Sequence, residues 1–120
     1  GTKLYLVGLF REIIYQYSLS SPFDLSTMSY DSITYNVGES TQGLRFNPDG
    51  SKMYTTRDVD SLFQHSLSTP FDLSTAIYDG ISFDLSSEGT SLRSIDFSDD
   101  GSKVFIINYR DIYQYTATYV

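Results

Sequence analysis

One short stretch of this sequence occurs three times. Gly50-Ser51-Lys52-Met53-Tyr54 returns as Gly101–Phe105 and, at the start of the chain, as Gly1–Tyr5, so the copies begin 49 and 51 residues apart. The longer stretch Tyr15–Thr27 returns as Phe63–Thr75, and its opening returns again as Tyr113–Thr118. Tyr30–Val37 returns as Tyr78–Leu85, and Arg45–Gly50 as Asp96–Gly101. Several matches in one order define a tandem repeat of roughly 50 residues, and a chain built that way folds as stacked copies of one small unit. The 120 residues divide into a partial unit (1–49), a repeat (50–100) and a further partial repeat (101–120) of one domain.

Each unit reads as four short strands. The first ends at Phe46 and again at Phe97. Asn47-Pro48-Asp49-Gly50 follows, or Ser98-Asp99-Asp100-Gly101 in the next copy. Pro suits the second position of a tight turn, Asp caps it and Gly accepts positive φ, so a hairpin is expected. Asp99 replaces the proline in the later copy, and a looser turn is expected there. The second strand covers Lys52–Thr56 and Lys103–Asn108, and the third Ile13–Ser18, Leu62–Ser66 and Ile112–Thr116. Pro22 and Pro70 then end pairing, and Pro-Phe-Asp-Leu-Ser-Thr has the side chains for a turn or a single helical turn. The fourth strand covers Tyr30–Val37 and Ala76–Leu85, where apolar and polar residues alternate. Eleven Tyr and eight Phe with no Trp agree with strands, since these rings pack well on half-buried pleated surfaces.

Four antiparallel strands per repeat match the blade of a β-propeller. The run Phe46–Tyr54, F-x-P-D-G-S-K-x-Y, with Phe97–Phe105 as its second copy, resembles the blade motif of bacterial propellers of the lactonase-like and TolB-like kind. The resemblance covers the whole chain. It implies an all-β fold of propeller blades, with the motif as the hairpin joining the two innermost strands. It implies little about activity, because such blades carry hydrolases, lectins and scaffolds alike. A β-solenoid is the structural rival, although solenoid coils are usually shorter.

Read from Gly1, the strands run second, third, fourth, then one full unit, then first, second, third. That is ten strands, about two and a half blades, and a propeller needs about four or more to close. The expectation is a fragment of a longer array or a ring-like homo-oligomer. Two chains would hold six second strands but only four first strands, so a dimer would have incomplete blades or would exchange strands. The chain opens without Met, which leaves room for an upstream segment removed from it.

A net charge of -7 argues against nucleic acid and against docking on anionic lipid, both of which need a basic patch. No apolar run approaches the roughly 18 residues of a membrane span. Without Cys, disulfides and thiolate metal sites are excluded. None of this fixes a compartment, and an extracellular or periplasmic one stays open.

No catalytic residue, metal ligand or cofactor is singled out. His65, the only histidine, aligns with Tyr17 and Tyr115 and reads as an aromatic packing position. Asp58-Val59-Asp60-Ser61 and Asp99-Asp100-Gly101 are the densest acidic clusters, and neither has the ligand spacing of a calcium loop. Asp31, Asp79 or Glu39 would have to converge on them. There is no nucleophile elbow and no phosphate-binding glycine loop. The candidate ligand-binding residues are Tyr15, Gln16, Tyr17, Gln64, Tyr113, Gln114 and Tyr115, with Gln at the same place in all three copies. A repeated polar–aromatic pair could stack on sugar rings, whereas on an alternating strand the same rings pack between blades. The leading expectation is a non-catalytic binding or scaffold module with a glycan or protein ligand. A lectin-like propeller and a lactonase-like or glycosidase-like hydrolase are the alternatives. The hydrolase would need acidic side chains converging on a central channel.

Overall fold

The computed structural model of the chain describes residues 1–8, 11–38, 40–57, 61–88 and 92–116. Ten strands lie within them, in three antiparallel sheets. The first sheet holds β1 (Lys3–Val7), β2 (Ile13–Leu19) and β3 (Met28–Asn36). The second holds β4 (Thr41–Phe46), β5 (Lys52–Arg57), β6 (Ser61–Leu67) and β7 (Ala76–Asp84). The third holds β8 (Ser94–Phe97), β9 (Lys103–Ile107) and β10 (Ile112–Thr116). Neighbours in sequence are neighbours in space within every sheet, as short connections favour. The order of strand types is the one the repeat predicts, with ends displaced by one or two residues. The described residues do not close into a ring.

The hairpin signals work through their side chains. Gly50 N–H donates to Asn47 O at 3.0 Å with φ at 74°, and Asp49 Oδ1 accepts from Ser51 N and Oγ. The looser turn expected at Asp99 is not found. Gly101 N–H donates to Ser98 O at 2.9 Å, and Asp100 Oδ1 accepts from Ser98 Oγ, Ser102 N and Ser102 Oγ. Three hydrogen bonds to one carboxylate hold the turn that Pro48 pre-sets in the earlier copy.

Pro-Phe-Asp-Leu-Ser-Thr folds the same way twice, into a turn and then a single 3-10 turn over Leu25–Thr27 and Leu73–Thr75. Asp24 and Asp72 each accept from the backbone N–H two residues on, which satisfies a donor the short turn leaves open. A further 3-10 turn at Ser86–Glu88 has no counterpart in the sequence reading.

The fourth strands carry a bulge where Asp31-Ser32 and Asp79-Gly80 interrupt the apolar–polar alternation. The register of β2 with β3 shifts between Gln16 and Tyr17, and that of β6 with β7 between Gln64 and His65. Asp31-Ser32 and Asp79-Gly80 are the extra residues, with φ at 58° for Ser32 and 72° for Gly80. A bulge of this kind re-aims a side chain.

The core lies between sheets. Ile14, Met53, Leu67 and Leu73 join the first sheet to the second, and Leu85, Leu92, Ile95 and Ile106 join the second to the third. Each fully buried aliphatic side chain contributes about 1.5–3 kcal/mol, so the joints between repeats hold the fold together.

Candidate functional site

The bulge at Asp31 turns its carboxylate onto the second and third strands of its own sheet. Gln16 Nε2 donates to Asp31 Oδ2 at 2.9 Å, Ser18 Oγ donates at 2.8 Å, and Lys3 Nζ lies 3.5 Å away. Lys3 also donates to Ser18 Oγ at 2.7 Å. The second sheet repeats the arrangement, with Gln64, Ser66 and Lys52 at 2.8, 2.8 and 3.5 Å from Asp79. In the third sheet Lys103 donates to Thr116 Oγ1. Burial alone would raise the pKa of Asp31 and Asp79. The Gln and Ser hydrogen bonds and the Lys charge outweigh it and hold both carboxyls below the usual range.

The recurring glutamine therefore has a structural task, and it extends across the joint. Gln16 is 2% exposed, and its Oε1 accepts from Leu73 N at 2.9 Å in the neighbouring repeat. Beside it, Tyr5 OH donates to Phe71 O. Burial, then the nearby carboxylates of Asp31 and Asp72, push the Tyr5 phenol above its ordinary value.

The sequence-predicted residues do not form one site. Gln16 faces the second sheet, while Tyr15 and Tyr17 lie on the opposite face with Tyr30, at centroid distances of 6.3 and 5.2 Å. Tyr115 meets Phe83 across the second joint at 5.7 Å. Gln114 is exposed and Tyr113 half-buried at the far end. Alternation along a strand separates each Gln from the rings beside it.

His65 is buried between sheets. Its Nδ1 is 3.0 Å from Tyr35 OH and its Nε2 3.1 Å from Thr55 Oγ1, with Tyr35 edge-on. Burial lowers its pKa, only partly opposed by Asp79, so the imidazole stays neutral with one nitrogen donating and the other accepting. Both nitrogens are engaged in packing hydrogen bonds.

The Asp99-Asp100-Gly101 cluster is accounted for by its own turn. Hydrogen bonds from the Ser102 and Ser98 groups lower the Asp100 carboxyl to about 2. Asp96 pairs with Arg45 at 3.0 Å between β8 and β4. Asp58, Val59, Asp60 and Glu39 lie outside the described residues. Among the described residues, no group of three or more His, Asp or Glu side chains could hold a metal ion.

What the structure offers instead is a groove of about 540 Å³ between the second and third sheets. Leu62, Gln64, Ile81, Phe83, Phe97 and Val104 are among the residues lining it. Sequence reasoning marked only Gln64 of these six. The signal that finds the rest is the repeat alignment, because they match Ile14, Gln16, Ile33, Tyr35, Phe46 and Met53 at the first joint. Searched against family models and against curated proteins, the chain matches none.

Proposed function

We propose that the chain is a non-catalytic binding or scaffold module made of propeller blades, and that copies of it complete a homo-oligomeric ring. One observation carries this reading. Side chains buried at the joint between the first two repeats are exposed where the same residues occur at the two ends. Leu73 is 1% exposed and its counterpart Leu25 is 65% exposed; Ile14 is 1% exposed and its counterpart Ile112 is 70% exposed. Phe23 and Gln114 are likewise open where Phe71 and Gln16 are covered. The two exposed faces repeat the two sides of the filled joint, Phe23 and Leu25 one side and Ile112 and Gln114 the other. Such complementary faces favour head-to-tail contact, which closes into a ring when the rotation per copy allows it. The test is absolute mass in solution by size-exclusion chromatography with light scattering. A discrete multiple of 13.6 kDa is expected. Leu25→Asp, at an exposed position, should return the monomer. A wild-type chain that runs only as a monomer overturns the ring.

A lectin-like role is the second reading. Tyr15, Tyr17 and Tyr30 form one aromatic patch on the open face of the first sheet, where a sugar ring could stack. Glycan-array binding that Tyr30→Ala abolishes would favour it, and its absence would remove it.

A further inference from the structure

We propose that the groove between the second and third sheets is a polypeptide-binding site. Its occupant is a segment with a Phe-Asp-Leu turn followed by an extended strand. The first joint shows what such a surface holds when filled. There Phe71, Leu73 and Ala76 of the second repeat lie against the first sheet. Phe71 packs against Phe46 with centroids 5.4 Å apart and the rings tilted by 45°. Gln16 Oε1 fixes the Leu73 N–H, and the strand that follows, β7, pairs along β6.

At the second joint the same mould is present and open. Gln64 aligns with Gln16, and its Nε2 is held by Asp79 as Gln16's is by Asp31. Its Oε1 has no hydrogen-bond partner among the described residues, so it is positioned to accept a backbone N–H. Ile81 and Phe83 are 53% and 54% exposed, whereas their counterparts Ile33 and Tyr35 are half-buried at the filled joint. Beside the groove, β10 is an edge strand among the described residues, whereas its counterparts β2 and β6 each pair with a fourth strand. Adding a strand at such an edge supplies main-chain hydrogen bonds, and alternate side chains entering pockets supply selectivity. The groove needs a turn that places Phe and Leu two residues apart with a free N–H at the Leu.

The test uses the 120-residue chain and a fluorescent synthetic peptide of its own Ser68–Leu85 sequence, titrated by anisotropy. Saturable one-to-one binding is expected. A peptide N-methylated at Leu73 lacks the donor that Gln64 would meet and should bind about tenfold more weakly. A peptide carrying Leu73→Asp should not bind measurably, because a lone carboxylate would enter an apolar hollow. On the protein, Ile81→Glu should abolish binding, while Ile77→Glu, exposed and outside the groove, should leave it unchanged. No saturable binding, or equal binding of the wild-type and Leu73→Asp peptides, overturns the proposal. Its fate is separate from that of the ring. A monomer that binds the peptide supports the groove, and a discrete oligomer that does not bind it overturns the groove alone.

Discussion

The ring of Phe71 lies over Gly50, and the Phe71 N–H donates to Gly50 O at 3.0 Å. A Cβ on Gly50 would lie well inside van der Waals contact with the nearest carbon of that ring, and Gly50 also has φ at 74°. Gly50→Ala should therefore cost about 2–3 kcal/mol, combining backbone strain with overpacking. Gly80→Ala is the control, since φ is 72° there with open space around the Cβ. It should cost about 1 kcal/mol, from backbone strain alone. Urea denaturation of both variants checks the difference.

The bulge residues Ser32 and Gly80 occupy the same place in two repeats with φ at 58° and 72°. Serine is strained there and glycine is not. Ser32→Gly should raise stability by about 0.5 kcal/mol and Gly80→Ser should lower it by about the same, because relief of strain exceeds the added chain entropy. Midpoints of chemical denaturation measure both.

His65 sets a stability change near neutral pH. The unfolded imidazole titrates at about 6.5, and burial lowers the folded value. Between the two, the unfolded chain binds more protons, so stability is full above about 6.5 and falls as pH drops toward the folded value. Melting temperature should decline over that window. His65→Tyr, which installs the residue of the sister repeats, should flatten it.

Asp31 and Asp79 act in a separate, more acidic window. Their folded carboxyls titrate below the ordinary value of 3.8. Their contribution is complete above about 4 and is lost as pH falls through the folded values. Asp79→Ala should lower stability at pH 7 by about 1–2 kcal/mol, since Gln64, Ser66 and Lys52 lose a shared acceptor. It should also reduce the acid sensitivity seen in melting below about pH 4.

Gln16 should couple two repeats. Gln16→Met keeps the volume but leaves the buried Leu73 N–H and Asp31 with fewer partners, at a cost of about 2 kcal/mol. Hydrogen exchange at Leu73 N–H should quicken in that variant. Unchanged protection there would place the link between repeats elsewhere.

The repeat, the ten strands with their types, and both hairpin turns were legible in the sequence. They depend on local chemistry: alternation along a strand, Asp caps, and Gly at positive φ, each repeated so that one copy checks another. The role of Gln16 was not legible, because its acceptor oxygen meets a backbone N–H 57 residues away. Only packing of one sheet on the next brings these together. The bulge at Asp31 is marked in the sequence only by two polar residues in succession, Asp31-Ser32, within an otherwise alternating strand, and one such break does not show how the strand pairs until its neighbour sets a register. The strength of the Ser98–Gly101 turn was underestimated because its closure comes from convergent serine donors rather than from a proline. His65 was rightly aligned with tyrosines, yet its two hydroxyl partners come from different sheets. The repeat alignment identifies the residues around the groove beside Gln64, but the groove itself is made by tertiary structure. Its lining residues match those of a filled joint one for one, and only the stacking of sheets shows that one mould is filled and the other open.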